Sequence, residues 1–380
     1  MTTQSPDFGV TIARAQPVTE AHGLLVAHAL SRLSPTGKLF IVNGSSFTAP
    51  RWDHVPFREF ERIEMWMRNL TDAQKARVEF INQKDYGNMA TWATKLREKV
   101  MARIGDEKAR VALIGCAKDA PTGYYLSQFP DWESISVPVM LGGLSATPIR
   151  DRYIRDENWH QFEEYARPYL PAGTMSFLQD FRRTNEFAKL LAEKTFMVDY
   201  NKQFYDAEEV ALAKAEGRRP RWGAPYPVTH YTADSVVIQG TKLLMVQRKG
   251  YPCKDLWALP GGHCGEDIAV DAAIRELREE TKIAVPEDVL RGSIVGSKVY
   301  DDPNRSTRRR TVSTAQFIHL TPRIKPGMDA KTALALPKVR AADDAKKARW
   351  VEADWVENNR ELIMEDHWRM VADALSVIQK

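Results

Sequence analysis

Long apolar runs, an excess of one charge and paired cysteines are all scarce in this sequence of 380 residues. No stretch approaches the ~20 consecutive apolar residues that a membrane span needs. Residues 1–10 also lack the basic segment and long apolar core of a secretory signal. Three cysteines (Cys116, Cys253 and Cys264) are too few for a disulfide framework and are typical of a reducing compartment. These absences predict a cytoplasmic protein with no membrane partner.

The charge balance argues against a nucleic-acid partner. Lys and Arg total 54 against 50 Asp and Glu, so the formal net charge is only +4. The basic clusters at 218–221 and 308–310 are short, and the rest of the chain is balanced in charge, so we expect no sequence-independent binding to DNA. At roughly 100–200 residues per domain, the length predicts two domains.

The first 150 residues alternate short β-branched runs with helical patterns, the order that builds a parallel sheet. The predicted strands are residues 8–12, 38–42, 78–81 and 110–114. Two helices are predicted by apolar repeats, namely Ala21, Leu24, Leu25 and Ala29 in the first and Phe60, Ile63, Met67 and Leu70 in the second. The pattern predicts a doubly wound α/β fold, whose ligands bind at the carboxyl ends of the strands.

The second half of the chain has a different pattern. A charged stretch at 206–221 ends in the turn-forming segment 222–227. Residues 235–238 and 242–247 then indicate two strands joined around Gly240, and helices follow near 269–282 and at about 359–377. The predicted architecture is therefore α/β plus α+β. We place its parts at 1–185 for the first domain, 186–227 for a helical and charged linker, and 228–380 for the second domain.

The loop after the first predicted strand suits phosphate. It spans residues 13–23 and carries Arg14 and His22 just before a helix starts. Helix N-termini favour anions, and both side chains would add charge-assisted donors. Taken alone, a histidine at such a position is more often a capping or packing residue. A second polar helix start, residues 144–150, carries two hydroxyls and Arg150.

Together these two segments resemble the HxGH-type loop and the ISSTxxR-type helix start of the nucleotidyltransferase superfamily. More narrowly, residues 13–23 resemble the GRFQPFHxGH loop of nicotinamide-mononucleotide (NMN) adenylyltransferases, and residues 44–57 resemble the second-strand loop of that family. Residues 118–132 resemble its nicotinamide-side segment. The resemblance covers about 150 residues and implies a Rossmann-like nucleotidyltransferase domain.

This resemblance implies a reaction in which the NMN phosphate attacks the α-phosphate of ATP and expels pyrophosphate, with Mg²⁺ on the triphosphate. It implies that His22 and Arg150 act at the ATP phosphates. The implied substrate contacts are Arg14, Gln16, Thr19, Ser145 and Thr147, then Arg51 on the NMN phosphate, and Lys118, Asp119, Tyr124 and Trp132 on the nicotinamide side. A buried aromatic residue is an equally natural interpretation of Trp132.

Four positions depart from the family pattern. They are Ala13, Thr19, Ala21 and Cys116, and Thr19 replaces the first motif histidine with a side chain that carries no charge. An attenuated first domain is therefore one alternative.

Three glutamates crowd one predicted helix of the second half. Glu276, Glu279 and Glu280 are spaced i, i+3 and i+4, so their carboxylates lie on neighbouring positions of one face. Such carboxylates repel one another, and a hard divalent cation relieves the repulsion. A solvated acidic helix is the alternative. The preceding Gly261-Gly262 turn and this helix together resemble the Nudix box.

This segment matches the Nudix box closely, but its loop is one residue shorter than the usual pattern. Asp267 stands where the usual pattern has a glutamate, and only four residues separate it from Gly262. The resemblance implies a Nudix α/β/α sandwich in which the three glutamates are catalytic ligands of Mg²⁺ or Mn²⁺ and Arg275 orients them. Arg308, in the basic loop 300–311, would contact phosphate or ribose, with a solvated surface loop as the alternative.

The two halves in this order resemble the bifunctional NMN adenylyltransferase/ADP-ribose pyrophosphatase family over nearly the whole chain. Membership would imply NAD synthesis from NMN and ATP in one domain, and hydrolysis of ADP-ribose to AMP and ribose 5-phosphate in the other. In one alternative the Nudix half binds nucleotide as a sensor or scaffold without turnover. In another it hydrolyses a different nucleoside diphosphate derivative. Homo-oligomerisation is left open.

Overall fold

The computed structural model divides the chain into two compact units, Met1–Leu191 and Ala192–Lys380. The residues that it describes are 5–106, 108–115, 125–155, 158–221, 226–321 and 335–378. Within these stretches, no helix is both long enough and apolar enough to cross a membrane. The α/β plus α+β architecture is confirmed, while the exact domain limits stay a prediction.

A parallel sheet of five strands forms the centre of the first unit, in the order β3-β2-β1-β4-β5. Its strands are β1 Phe8–Ala13, β2 Lys38–Asn43, β3 Val78–Asn82, β4 Val111–Gly115 and β5 Glu133–Ser136. The strand β1 pairs with β2 on one side and with β4 on the other, so the strand order reverses at β1. Doubly wound folds bind ligands at the carboxyl ends of the strands beside such a reversal.

Helices pack on both faces of this sheet. They are α1 Glu20–Arg32, α2 Glu59–Asn69, α3 Asp72–Lys75, α4 Met89–Ile104, α5 Ala146–Arg155, α6 Trp159–Ala166, α7 Ala172–Phe181 and the start of α8 Asn185–Phe204. One core includes residues of α1, α2, α5 and α7, and the other includes α4 residues such as Leu96 and Val100. Burial on both faces explains why the central strands are continuous apolar runs.

Both helices predicted early in the chain exist, but their predicted apolar faces were wrong in part. In α1, Leu24 is 44% exposed, and in α2, Phe60 is 59% exposed. Ala29 is buried as predicted, but the other buried residues are Val26 and Leu30 in α1, and Glu61, Arg62, Met65 and Trp66 in α2. Hydrophobic spacing missed the α2 face because two of its buried side chains are charged. Arg62 donates to two other loops, and Glu61 accepts from the N–H of Arg58 at the start of its own helix.

The second unit contains a mixed sheet with the order β10-β11-β6-β7-β12, joined by β8 along β7 and β9 along β6. Its strands are β6 His230–Gln239, β7 Lys242–Arg248, β8 Trp257–Ala258, β9 Gly261–His263, β10 Ile294–Tyr300, β11 Thr311–His319 and β12 Ala345–Glu352. The predicted turn at Gly240 is confirmed, with φ +60° between β6 and β7.

Helices on both faces of this sheet complete the predicted sandwich. They are α10 Ala269–Thr281, α11 Glu287–Gly292, α12 Ala353–Asn358 and α13 His367–Ile378, with α9 Ala207–Ala215 earlier in the unit. On one face, Ile274 and Leu277 of α10 pack in a core with Leu244, and on the other, Met370 and Ala374 of α13 pack in a core with Val236. The helix α9 lies inside the charged stretch at 206–221.

The predicted C-terminal helix was too long. Residues Arg360–Leu362 form a 3₁₀ turn, and α13 begins only at His367. Between them the chain runs along β8, because Ile363 bridges Trp257 and the Met364 N–H donates to the Trp257 carbonyl at 2.8 Å. Pairing with a strand therefore interrupts what the sequence pattern indicated as one helix.

Candidate functional sites

A cleft of about 480 Å³ opens at the carboxyl ends of β1 and β4 in the first unit. It is lined by the loop after β1, the start of α1 and the start of α5. Seven of the predicted site residues line it, namely Arg14, Gln16, Thr19, His22, Ser145, Thr147 and Arg150. The fold thus brings the two polar helix starts together although about 120 residues separate them in the sequence.

The hydrogen bonds of His22 fix which of its ring nitrogens carries the hydrogen. The Thr19 backbone N–H donates to Nδ1 at 3.0 Å, and Thr19 Oγ1 lies 2.8 Å from the same atom. A backbone N–H can only donate, so Nδ1 is the acceptor and the neutral ring carries its hydrogen on Nε2. Thr19 is fully buried and serves as the N-cap of α1. The histidine therefore caps the helix and also lines the cleft.

Arg150 enters the cleft from α5 and is only 8% exposed. Its Nη1 donates to the His54 carbonyl at 3.2 Å, and its Nε lies 3.6 Å from Asp151. Burial lowers the pKa of this guanidinium, and the nearby Arg14 charge adds to that effect. Two cations therefore face one partly desolvated cleft, which favours an anion bound between them.

Two predicted substrate contacts are bonded to other parts of the first unit. The Gln16 side-chain amide donates to the Phe57 carbonyl at 2.8 Å and accepts from the Phe57 N–H at 3.0 Å, so it ties the two loops together. Arg51 makes a two-pronged contact with Asp53, at 3.1 Å from Nε and 2.7 Å from Nη2. Arg51 is not among the described residues that line the cleft, and its assignment to the NMN phosphate stays a prediction.

Of the four residues predicted to contact the nicotinamide side, the structure describes only Trp132. Trp132 is 7% exposed, stacks on Phe129 with ring centroids 4.4 Å apart, and packs in the core that contains Leu96. These contacts favour the interpretation of Trp132 as a buried aromatic. The predicted residues Lys118, Asp119 and Tyr124, and also Cys116, lie outside the described residues.

In the second unit, the glycine turn packs directly against the glutamates of α10. A Cβ on Gly262 would lie 2.5 Å from the Glu276 carboxylate, and one on Gly261 would lie 2.4 Å from the Ala233 carbonyl. The Gly261 N–H donates to Glu280 Oε2 at 3.1 Å. Glycine is needed at position 261 because the backbone of a neighbouring strand approaches too closely for any side chain, and a Cβ at position 262 would force the Glu276 carboxylate to move.

Burial sets the electrostatics of these glutamates. Burial raises the pKa of Glu280 to about 8, and the Glu276 charge adds to the rise. Burial also raises the pKa of Glu276. Asp234, which sequence reasoning missed, is buried beside them and adds further negative charge. No local signal marks Asp234, because it reaches the site only through the pairing of β6 with β9.

Arg275 contacts the carboxylates that the resemblance implies it orients. Its Nε donates to Asp267 at 2.8 Å, and its Nη1 donates to Glu276 at 2.8 Å and to Glu279 at 3.2 Å. Asp267 thus occupies the acidic position of the shortened loop. In the described stretches, no three His, Cys, Asp or Glu side chains are already gathered around one metal position. The donors are nevertheless hard carboxylate oxygens in a partly buried site, which is the chemistry that divalent cations prefer.

The basic loop before β11 is anchored to the start of α13. Arg305 makes a two-pronged contact with Asp366 at 3.0 and 2.7 Å, and the Thr307 N–H donates to Glu365 at 3.1 Å. Arg308 lies close enough to lower the pKa of His263, after the larger effect of burial. Side-chain contacts therefore anchor part of this loop, and the substrate contact of Arg308 stays a prediction.

Comparison with known proteins matches each unit separately. Residues 228–374 match the family model of the NUDIX domain. The chain is 31% identical over 188 residues to a nicotinamide/nicotinic acid mononucleotide adenylyltransferase from Acinetobacter baylyi, covering 50% of this chain and 93% of that protein. It is 28% identical over 142 residues to an ADP-ribose pyrophosphatase from Methanocaldococcus jannaschii, covering 37% of this chain and 69% of that protein.

Solved structures of a bifunctional protein match both units at once. The crystal structure of a bifunctional NMN adenylyltransferase/ADP ribose pyrophosphatase from Francisella tularensis, complexed with AMP and a manganese ion, is 29% identical with a TM-score of 0.78. The similarity covers 98% of this chain and 99% of that chain. The similarities support catalysis in both units and give no support to a NUDIX unit that binds without turnover.

Proposed function

We propose that this chain is a bifunctional enzyme. It belongs to the nicotinamide/nicotinic acid mononucleotide adenylyltransferase family and carries a NUDIX domain. Its first unit joins NMN and ATP into NAD and pyrophosphate. Its second unit hydrolyses ADP-ribose to AMP and ribose 5-phosphate. All of these substrates are small nucleotides, and we place the enzyme in the cytoplasm, without a nucleic-acid partner.

The observation that carries the first activity is the convergence of Arg14, His22 and Arg150 on one cleft. A phosphate oxygen of NMN bonds to the α-phosphorus of ATP, and the bond to the β-phosphate oxygen breaks, so pyrophosphate leaves with that electron pair. No covalent bond to the protein is needed, because the residues align the two phosphates and neutralise their charge. Mg²⁺ on the triphosphate would neutralise further charge.

Each residue of the cleft has a proposed part in this transfer. His22 donates from Nε2–H to the ATP phosphates, since Nδ1 already accepts from Thr19. Arg150 holds the outer phosphates together with Ser145 and Thr147 at the start of α5, and Arg14 holds the triphosphate from the β1 side. The replacement of a histidine by Thr19 leaves His22 oriented, so we expect the first unit to be active.

The observation that carries the second activity is the packing of Glu276 and Glu280 against the Gly261-Gly262 turn. Glu276, Glu279 and Glu280 would hold Mg²⁺ or Mn²⁺, which supplies charge neutralisation on the diphosphate and polarises water. Arg275 sets the positions of Glu276 and Glu279 before substrate arrives. Arg308 contacts the phosphate or ribose of ADP-ribose.

Product analysis by chromatography tests both activities. The full chain is incubated with Mg²⁺ and either NMN plus ATP or ADP-ribose, and each mixture is repeated with EDTA. We expect NAD in the first mixture and AMP in the second, and neither with EDTA. AMP without NAD would remove the first half of the proposal, and NAD without AMP would remove the second.

A further inference from the structure

Arg62 of α2 is a fully buried arginine in the first unit. The inference drawn from it rests on the proposed transfer of AMP from ATP to NMN, in which Arg62 has been given no role so far. Its Nη1 donates to the carbonyl oxygens of Arg14 at 2.9 Å and Gly44 at 2.7 Å. Its Nη2 donates to Ser46 Oγ at 3.0 Å. The hydrogen-bond acceptors of this guanidinium are therefore two backbone carbonyls and a hydroxyl, rather than a carboxylate.

These acceptors belong to two different loops at the cleft end of the sheet. Arg14 directly follows β1, and Gly44 directly follows β2. A backbone hydrogen bond from Gly44 N–H to the Ala13 carbonyl, at 3.2 Å, joins the same two strand ends. Arg62 thus connects the loop that carries the predicted triphosphate ligand Arg14 to the neighbouring loop.

Each acceptor lies next to a residue with unfavourable backbone geometry. Ala15 and Ser45 both have φ +49°, and Phe47 has φ +58°. Ala15 follows Arg14, Ser45 follows Gly44, and Ser46 lies between Ser45 and Phe47. Non-glycine residues adopt positive φ only where the surroundings hold them there. The three hydrogen bonds of Arg62 are positioned to do so.

Arginine suits this position better than lysine. A planar guanidinium can donate in several fixed directions at once, whereas an ammonium on a flexible stem cannot span three separated acceptors equally well. Burial lowers the pKa of Arg62 to about 10, and Glu59, Asp85 and Glu61 oppose that effect. The side chain therefore stays cationic at neutral pH despite its burial.

We propose that Arg62 is a positioning residue for adenylyl transfer, which holds the loops after β1 and β2 in their strained conformations and thereby directs Arg14 into the cleft. It does not touch substrate in this proposal. Its effect on catalysis is transmitted through the backbone of Arg14.

Arg77 offers a matched control within the same unit. Its Nε donates to the Gly37 carbonyl at 2.8 Å, and its Nη2 donates to the carbonyls of Leu30 at 3.3 Å and Ser34 at 2.8 Å. It therefore also makes three hydrogen bonds to other segments, but at the opposite end of β2, because Gly37 immediately precedes that strand. Arg77→Met removes a similar set of hydrogen bonds far from the cleft.

The test compares Arg62→Met, Arg62→Lys and Arg77→Met in the full chain, with KM for ATP, KM for NMN and kcat measured separately. We expect Arg62→Met to raise KM for ATP by a factor on the order of 10 to 100, since small displacements of binding groups have effects of this size. Arg62→Lys should lie between wild type and Arg62→Met. Arg77→Met should lower the melting temperature without changing KM for ATP.

A double-mutant cycle tests whether the effect passes through Arg14. In the Arg14→Ala background, Arg62→Met should add little to the loss. Any of three results would overturn the inference. They are full additivity of the two substitutions, an unchanged KM for ATP in folded Arg62→Met or Arg62→Lys, and an equal rise of KM for ATP in Arg77→Met. Failure of the wild-type chain to make NAD would instead overturn the proposed function, so the two failures are distinguishable.

Discussion

The two candidate sites gather functional groups of opposite charge. The cleft of the first unit gathers donors and cations, with Arg14, His22 and Arg150 facing one space. The NUDIX site gathers carboxylates, and burial raises the pKa of both Glu276 and Glu280. The first site is therefore suited to an anion and the second to a cation.

The two sites also differ in what orients their functional groups. In the first unit, backbone groups position the donors, as the Thr19 N–H does for His22 and the His54 carbonyl does for Arg150. In the second, one charged side chain, Arg275, contacts Glu276 and Glu279. Backbone groups set an orientation that persists without ligand, whereas Arg275 bonds to carboxylates that are themselves the proposed ligands of a metal ion.

The largest expected effect comes from Glu276→Gln, which removes a negative charge without changing shape. We expect ADP-ribose hydrolysis to fall on the order of 10³-fold, because the charge stabilisation of a metal site is lost. NAD synthesis by the same preparation should not change. Glu287→Gln, on the neighbouring helix α11, is the control and should keep both activities. Comparable losses of both activities in Glu276→Gln would contradict the separation of the two sites.

We expect His22→Ala to impair the first activity and to spare the second. NAD synthesis should fall on the order of 10²-fold, the usual effect of removing one donor to a developing charge, and ADP-ribose hydrolysis should persist. Thr19→Val is a milder substitution, because it removes the hydroxyl near Nδ1 of His22 but keeps the hydrogen bond from the backbone N–H. We expect a smaller loss of kcat from it than from His22→Ala. An equal loss would mean that the hydroxyl, not the backbone, orients the ring.

Acid should affect the contributions of two buried groups, His367 and Glu61, in opposite directions. In the second unit, burial lowers the pKa of His367, whose Nδ1 accepts from the Leu259 N–H at 2.9 Å. The unfolded state takes up a proton below about pH 6.5, so this contribution to stability is lost as pH falls from there. In the first unit, burial raises the pKa of Glu61, so the contribution of that group falls as pH rises above 4.5.

Calorimetry at pH 7 and pH 5 measures this difference. Burial raises the pKa of Glu276 and Glu280 and thereby favours the folded second unit in acid, so the effect of His367 is measured by comparing variants. His367→Asn keeps an acceptor near the Nδ1 position but does not titrate, so between pH 7 and pH 5 we expect the melting temperature of its NUDIX transition to rise by a few degrees relative to that of wild type. The same pH response in His367→Asn and in wild type would show that other groups cause it.

The smallest effect is expected from Trp132→Phe, which tests whether Trp132 belongs to the core or to the nicotinamide site. A buried aromatic replaced by a smaller one should cost about 1–2 kcal/mol of stability. KM for NMN should stay unchanged, because Trp132 stacks on Phe129 inside the core. A clear rise in KM for NMN with unchanged stability would restore the nicotinamide assignment. Measurement of KM and of urea unfolding in parallel gives both quantities.

Some features of this protein follow from the sequence alone because their causes are local. The order of strands and helices, the polar helix starts at Thr19 and Ser145, and the spacing of the three glutamates on α10 all depend on residues within one or two helical turns. The contact of Arg275 with Asp267 and Glu279 is local as well. Resemblance to known families added the activities to these patterns.

Only the tertiary structure decided which side chains remain available to substrate. Gln16 bonds to Phe57, which is 41 positions away, and Arg150 bonds to His54, which is 96 positions away. The same holds for the inward face of α2, where Arg62 is buried because Arg14 and Gly44 supply acceptors. Such partners are set by how the chain folds back on itself, so hydrophobic periodicity and motif spacing do not register them.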